Sequence, residues 1–506
     1  AESDYLALAR AYLEQAVKDG LGDIDATQRA AIVEKMLGVL LQAREAQVSV
    51  AKECLAVYTG VDAEQTIRVL SWANATVHLL LRLVLERTAQ DPQKIVLGRR
   101  DEPDLLLALL ADVRRRSAVV AKLDLSAALL QDYLDYGHKA WLHQDDKHAF
   151  SVRTLYYLSA LTRAFEMSEQ PAQKLLDYLR QVNALPSVAG DALKLAQQAA
   201  SIKLAEFFDW SVQEVRECVS RIDPKVKVLK DLIQLDLLMR VRVLSTHTDM
   251  DALTIFLIGH LPEAIDKTAY ADAAEHALLS LSESRNADIP LPSDLKQLVK
   301  MTCTVDNTEV VANKPEEKIN FTVTLTDDAG AALSGVNVYW SATLGRIDTK
   351  PTSMDGTVNA EFIPGAVMGT DTPLFWLDLF EPEYAPTINV IADPKTLTFV
   401  RPLMSAVPSG PVAQGHEVEL FATLIDAHKN LGKNQLVRWS STPAEGEEGT
   451  SLVIRPAQGL TNQEGLTRVF VSSRTGGTFT VNVLSESSER SSNFDPITFV
   501  GDVKPA

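Results

Sequence analysis

Cysteine is nearly absent from this chain, with three in 506 residues. Cys54, Cys218 and Cys303 lie far apart with no C-x-x-C spacing, which excludes a disulfide framework and a zinc cluster. Buried, inert thiols are the expectation for all three. Positive charge is also short, with 49 Lys and Arg against 67 Asp and Glu, a formal charge of −18 and a pI near 5.0. A surface that negative repels phosphate backbones and anionic headgroups, so nucleic acid is not an expected partner. Long apolar runs are missing too. The nearest candidate, residues 105–110, is short and closed on both sides by charge, so no stable membrane span is expected. The N-terminus, Ala1-Glu2-Ser3-Asp4, carries no basic n-region, which fits a signal already removed or export by another route.

Catalytic signatures are missing in the same way. There is no G-x-S-x-G, no G-x-G-x-x-G and no G-x-x-x-x-G-K-[ST]. A non-enzymatic protein is the expectation, with no catalytic residue, no metal, no cofactor and a binding surface that the letters do not locate.

What is present is a change of period near residue 290. Before it, apolar residues recur at three and four, as amphipathic helices require. After it, Phe321-Thr-Val-Thr-Leu-Thr and Val336-Asn-Val-Tyr-Trp alternate in twos, as half-buried strands do. Asp288-Ile-Pro-Leu-Pro-Ser-Asp reads as the joint. The helical part divides into hairpins: Leu105 to Tyr133 through Asp124-Leu-Ser, Leu155 to Leu179 through Glu166-Met-Ser-Glu, and Leu229 to Ile258 through Thr246-His-Thr-Asp. Each second helix is expected to start beside Ser or Asp.

The β part is a duplication. Thr324-Leu-Thr-Asp matches Thr423-Leu-Ile-Asp and Val338-Tyr-Trp-Ser matches Val437-Arg-Trp-Ser, both at the same spacing. Asp355-Gly-Thr aligns with Glu464-Gly-Leu-Thr beyond a longer acidic loop, and Leu397-Thr-Phe-Val matches Ile497-Thr-Phe-Val as the close of each copy. Short strands with frequent turns predict two sandwiches, with Trp340 and Trp439 between their sheets. The fold class expected is therefore multidomain α plus β: an all-α helical-hairpin array followed by two tandem Ig-like β-sandwiches. The boundaries read as 1–290 for the α-helical body, 301–400 for the first sandwich and 401–506 for the second, with Val400-Arg-Pro402 as a short, stiff join.

Two resemblances follow. The segment from Leu333-Ser-Gly-Val-Asn-Val-Tyr-Trp through Thr352-Ser-Met-Asp-Gly-Thr-Val, after an Asp-x-x-Gly turn, resembles bacterial Ig-like modules of the invasin/intimin type; the second copy has His428-Lys-Asn at that turn. Thr154-Leu-Tyr-Tyr-Leu-Ser, Lys174-Leu-Leu-Asp-Tyr-Leu-Arg, Leu204-Ala-Glu-Phe-Phe-Asp-Trp-Ser-Val-Gln-Glu-Val and the hairpin Leu232 to Leu257 resemble the A subunit of bacterial Tc (toxin complex) insecticidal toxins. The first resemblance implies extracellular display and binding. The second implies a toxin-complex component that assembles with other toxin subunits, as an oligomer or a fragment of a larger toxin, and whose Ig-like modules meet a host receptor. The alternative is a surface adhesin or spacer. Either way the expected location is secreted or at the bacterial cell surface, and the partners are proteins.

Several clusters carry letters that suit chemistry. His143-Gln-Asp-Asp-Lys-His148 gathers metal-ligand letters, but a polar loop gives the same ones. Asp327-Asp328 and Glu445 to Glu448 suit calcium by chemistry, with turns and a solvated loop as the simpler reading. Arg114 to Arg116 reads as solvated helix turns. His78 and His260 read as packing groups in apolar helices. Phe375 and Trp376 read as one buried strand, or as an aromatic contact patch at a module edge.

Overall fold

This computed structural model describes residues 2–22, 24–88, 104–187, 189–264, 266–282 and 294–501. The chain splits into two compact units, Ala1–Leu185 with Ala200–Leu291, and Pro186–Ala199 with Pro292–Ala506. The proline-bearing joint from Asp288 lies outside the described residues up to position 293.

The helical elements run in order α1 Glu2–Leu21, α2 Ala26–Thr59, α3 Ala63–Trp72, α4 Val77–Thr88, α5 Leu105–Lys122 and α6 Ala127–Asp132. A π turn, Tyr133–Gly137, leads into the short α7 His138–Ala140. Then follow α8 Val152–Glu166, α9 Ala172–Ala184, α10 Gly190–Phe208, α11 Val212–Ile222, α12 Leu232–Thr248, α13 Ala252–Gly259, α14 Lys267–Leu281 and α15 Leu295–Leu298. The three expected hairpins are α5–α6, α8–α9 and α12–α13. Among the described residues no single helix is long and apolar enough to cross a membrane.

The hairpins share a turn that sequence reading missed. Gly60-Val61-Asp62, Asn74-Ala75-Thr76, Asp124-Leu125-Ser126, Asp209-Trp210-Ser211 and Asp249-Met250-Asp251 all begin with a residue at positive φ. That left-handed residue ends one helix. Two positions on, a side-chain oxygen caps the next: Asp62 accepts from Glu64 N, Thr76 from Leu79 N, Ser126 from Leu129 N, Ser211 from Glu214 N and Asp251 from Thr254 N. The residue between is buried in three of them, Val61, Ala75 and Leu125, which pins the entry angle of the next helix. The signal was legible as Gly or Asn/Asp, one residue, then Ser, Thr or Asp. The α8–α9 hairpin departs from the expectation, because α9 opens on Pro171 with no side-chain cap. In the α12–α13 hairpin, α12 runs on through Thr246 and His247, and the expected turn is made at its last residue, Asp249.

In the β part, the first module carries β1 Val299–Val305, β2 Glu309–Val311, β3 Ile319–Asp327, β4 Asn337–Ser341, β5 Gly345–Ile347, β6 Lys350–Pro351, β7 Thr357–Pro364, β8 Gly369–Asp371, β9 Leu374–Trp376, β10 Glu383–Tyr384 and β11 Ile388–Ile391. The second carries β12 Thr398–Met404, β13 Val412–Ala413, β14 Val418–Ile425, β15 Leu436–Pro443, β16 Val453–Arg455, β17 Gln458–Leu460, β18 Leu466–Ser472, β19 Gly477–Ser485, β20 Ser491–Asn493 and β21 Ile497–Val500. One sheet of each module reads β1-β3-β7-β5 and β12-β14-β18-β16. The facing sheet of the second reads β13-β21-β19-β15-β17 with β20 beside β19. In the first module the counterpart of β19 is broken into β8 and β9 across Thr372-Pro373, where proline offers no N–H to a ladder.

Register makes the duplication concrete. Val338 opposes Lys350 as Val437 opposes Gly459, and Trp340 opposes Phe375 as Trp439 opposes Val483. The inward residues Phe321, Val323 and Leu325 of β3 are buried, as are Leu420, Ala422 and Leu424 of β14. Gly356 and Gly465 sit at positive φ against the carbonyls of Leu325 and Leu424, so close that a Cβ would fall 2.5 and 2.9 Å from those oxygens.

One equivalence from the sequence is overturned. Leu397-Thr-Phe-Val does not close the first copy. Thr398 and Phe399 pair with Ile425 and Leu424 of β14, so this strand opens the second module, and Leu397 and Phe399 belong to its core. The true counterpart of β21 is β11, since each pairs in parallel with the short strand near its module's start. Val400-Arg-Pro402 is thus inside β12, at an irregularity in its pairing, and the chain passes from one module to the next around Asp393 to Thr396.

Candidate functional site

Two places in the β part carry more chemistry than a core needs. The first is the passage between modules. Asp426 begins the β14–β15 turn, where its Oδ1 accepts from His428 N and Asn430 N at 2.8 Å each. The first module's matching turn has Asp327 Oδ1 accepting Ala331 N at 2.7 Å, with Gly330 in the left-handed region. Lys429 takes that same positive φ in the second module, so His428-Lys-Asn keeps the turn while changing its letters.

The change serves the joint. Asn430 is buried; its Nδ2 donates to Asp426 Oδ2 at 2.9 Å and to Ala366 O of the first module at 2.8 Å, while its Oδ1 accepts from Met368 N at 2.9 Å. Asp393 N donates to Asp426 Oδ2, and Asp393 Oδ1 pairs with Lys314 Nζ at 3.0 Å. Burial works to raise the Asp393 carboxyl, but the bonds from Lys314 and Lys395 N outweigh it and hold it below the usual range. The same bond holds the Lys314 ammonium above its ordinary value. Asn313 and His428 meet at 2.7 Å, and Met368 packs on the second module's core. A joint tied by part-buried bonds from Asn430, braced by the buried bonds of its own turn, resists rearrangement.

The second place is the outer face of the β10-β9-β4-β6 sheet. Side chains alternate along strands, so the residues opposite one another share a face. Tyr339 opposes Trp376, and Tyr384 opposes Leu374, two residues from Trp376. Phe375, between them, points inward and is buried against Trp340 at 5.4 Å. Tyr339 and Trp376 are half-buried and stack at 6.0 Å and 20°, while Tyr384 is 78% exposed. The sequence offered a buried strand or a contact patch here, and the strand is both at once: Phe375 makes core and Trp376 makes surface.

Asp378, in the turn after β9, stands near enough to Tyr339 for the two groups to act on each other's ionisation. Burial raises the Asp378 carboxyl, and burial together with the Asp378 charge pushes the Tyr339 phenol up to about 12. Leu377, Leu379 and Phe380 are buried on either side of it, with Leu379 held at φ +68. A leucine in that region is a backbone outlier, which the inward packing of its neighbours sustains.

The other candidates resolve differently. His143 and His148 do not converge: His143 Nε2 meets Asp231 Oδ2 at 3.0 Å, and His148 N is bonded to Asp146. Asp327 closes its own turn, and Glu447 accepts from Thr478 N at 2.5 Å, which ties the acidic loop to β19. Among the described residues no group of three or more His, Cys, Asp or Glu is assembled to hold a metal. The reading of Arg114 to Arg116 as solvated turns is corrected at Arg116. It is buried, bonded to Asp112 at 3.0 Å, and its guanidinium lies 5.2 Å from the Trp72 ring and 4.7 Å from Phe150. His78 and His260 are exposed, which corrects the packing reading for His78; His260 keeps a ring contact with Phe256 at 6.2 Å, and its Nδ1 meets Phe256 O at the end of α13. Of the thiols, Cys218 is buried and pushed up by burial, Cys303 is half-buried and raised to about 11, and Cys54 is exposed, against expectation.

No protein-family model matches the chain, and no curated protein matches it. Solved structures do. Invasin, a bacterial integrin-binding protein, is 20% identical with a TM-score of 0.30, over 40% of this chain and 40% of its own. The Yersinia pseudotuberculosis adhesin InvE is 20% identical at a TM-score of 0.24, over 40% of this chain and 60% of its own. The Escherichia coli adhesin FdeC is 17% identical at 0.30, over 40% and 64%. This chain therefore spans less than two thirds of each. At such TM-scores these likenesses carry no weight for function, which rests on the chain's own residues.

Proposed function

We propose that this chain is a non-enzymatic binding protein of the adhesin type, displayed at a bacterial surface or secreted, in which the β pair presents a binding face and the helical body anchors or assembles. The observation that carries this reading is the joint. Asn430 stands where the first module has Ala331, and two of its three amide bonds, to Ala366 O and from Met368 N, cross to the first module, while the third braces its own turn through Asp426. A spacer that must hold a face at a set distance needs such stiffness, whereas a flexible linker would serve a tethered enzyme. A protein partner suits the exposed aromatic face of the first module, because aromatics dominate the energetics of protein interfaces.

The toxin-component reading keeps only the helical resemblance in its favour. Light scattering of the purified chain, together with its retention on host cells, separates the two. A monomer retained on cells fits the adhesin. A defined oligomer that ignores cells, yet joins toxin-complex subunits, would overturn the proposal.

A further inference from the structure

We propose that the outer face of the first β module, formed by Tyr339, Trp376 and Tyr384 with Asp378 at its end, binds a basic segment of a protein partner by laying a Lys or Arg side chain across the rings. The inference rests on the adhesin reading and supplies the chemistry of its partner.

Three observations point to a cation. Tyr339 and Trp376 stack as a half-buried aromatic pair on the outer face, and Tyr384, opposite Leu374 on the neighbouring strand, stands exposed beside them. The faces of such rings are negative and attract guanidinium and ammonium groups. Asp378 then follows in the turn after Trp376 and lies near Tyr339, so a carboxylate is at hand for a cation that reaches the rings. Finally, residues 351–394 hold seven Asp and Glu and no Lys or Arg, so the strands and turn that build most of the face offer no cation of their own.

The second module shows what this scaffold does without such a role. Its residue at the place of Tyr339 is Arg438, paired with Glu486 at 2.7 Å, where the first module has Tyr339 and Asp378. There the cation is built in. In the first module its place above the carboxylate is taken by a ring, and a partner supplies the charge.

The test is fluorescence anisotropy of a labelled ten-residue peptide of alternating Arg and Gly, titrated with the full chain at physiological salt. An alternating Glu and Gly peptide serves as the control. Tyr384→Ser, at a highly exposed site, is expected to weaken binding about five- to tenfold. Asp378→Asn, which keeps the size of the side chain and removes its charge, should weaken it by a similar factor. Asn493→Ser, at the corresponding edge strand of the second module, should leave it unchanged. Attraction to the chain's overall negative charge would survive Tyr384→Ser, and that result overturns the proposal. So does a wild-type chain that binds neither peptide or both alike. Cell attachment measured in parallel separates the two readings. Attachment without peptide binding overturns this inference and leaves the adhesin standing. Tyr384-dependent peptide binding without attachment supports the inference and counts against the adhesin.

Discussion

At the same point on the same strand, one β module carries Tyr339 and the other Arg438, and across from them stand Asp378 and Glu486. Beneath this difference the interiors agree. Phe321, Val323 and Leu325 fill the place of Leu420, Ala422 and Leu424, and Gly356 and Gly465 meet their carbonyls in the same way. Interior positions are tied by close packing, where a change of one methylene is felt, while an outward position on a strand answers only to its neighbours and to solvent. Two copies with one interior and two exteriors are therefore free to divide labour. The first offers an aromatic face, and the second, through Asn430 and His428, offers the grip that holds the first in place.

The strongest way to break this comparison is through its shared core. Trp439 is buried, stacks on Phe494 and donates its Nε1 to Thr467 at 3.3 Å, whereas Trp340 is half-buried and its Nε1 has no partner. Trp439→Ala should cost about 4 kcal/mol and Trp340→Ala about 3 kcal/mol. Denaturant unfolding of the full chain gives the magnitudes, and hydrogen exchange tells which module loosens. Equal losses would mean that the two tryptophans do the same work and that the copies differ less than their surfaces suggest.

Next in size is the joint. Asn430→Ala removes three bonds and leaves the Asp426 carboxylate and the Ala366 carbonyl short of donors, at a cost of about 2 kcal/mol. The reciprocal change, Ala331→Asn, lies on the exposed end of the first module's turn and should be close to neutral. Backbone exchange at residues 366–368 and 426–430 should rise in the first variant alone. Protection unchanged there would remove the joint from the case for a stiff spacer.

A smaller and opposite effect is expected one residue earlier. Lys429 is held at φ +67, where Gly330 sits at +84 in the other copy. Lys429→Gly should stabilise by about 1 kcal/mol, and Gly330→Ala should destabilise by about as much. Calorimetry of both variants checks the pair, and a loss on Lys429→Gly would show that the lysine side chain itself is needed.

Much of this was legible in the letters, and what was not had physical causes. Period marked the helical and β parts, and the spacing of Trp340 and Trp439 marked the duplication, because both are local properties of a strand or helix. Leu397-Thr-Phe-Val was misplaced because its letters resemble β21, while its pairing with β14 is decided about twenty-five residues away. Strand partners are non-local and identity of letters does not encode them. Arg116 looked solvated beside Arg114 and Arg115, since its rings come from Trp72 and Phe150, distant in sequence on both sides. The aromatic face was half legible. Alternation put Trp376 opposite in sense to Phe375, but only register brought Tyr339 and Tyr384 beside it.

The smallest effect sharpens the comparison by its sign. At the joint, Asp393 is held below its ordinary 3.8 and Lys314 above its ordinary 10.5. A depressed carboxylate contributes stability that is present above the unfolded value and lost as pH falls through the folded one. A raised ammonium contributes stability that is present below the unfolded value and lost as pH rises through the folded one. The joint should thus hold fully between about pH 4 and pH 10 and loosen outside that window. On the aromatic face the sign reverses, because burial raises Asp378 above 3.8. The folded state there keeps its proton longer than the unfolded chain, so its contribution is full in acid and is lost as pH rises through the raised value. Acidification from neutral toward pH 4 should tighten the turn at residues 377–380 while leaving residues 393–396 unchanged, and only further acid should release the latter. Hydrogen exchange, corrected for the intrinsic rate at each pH, reads both segments in one sample. Asp378→Asn should flatten the first response and spare the second. If both segments loosened together in acid, the face and the joint would belong to a single cooperative unit and could not act as separate parts.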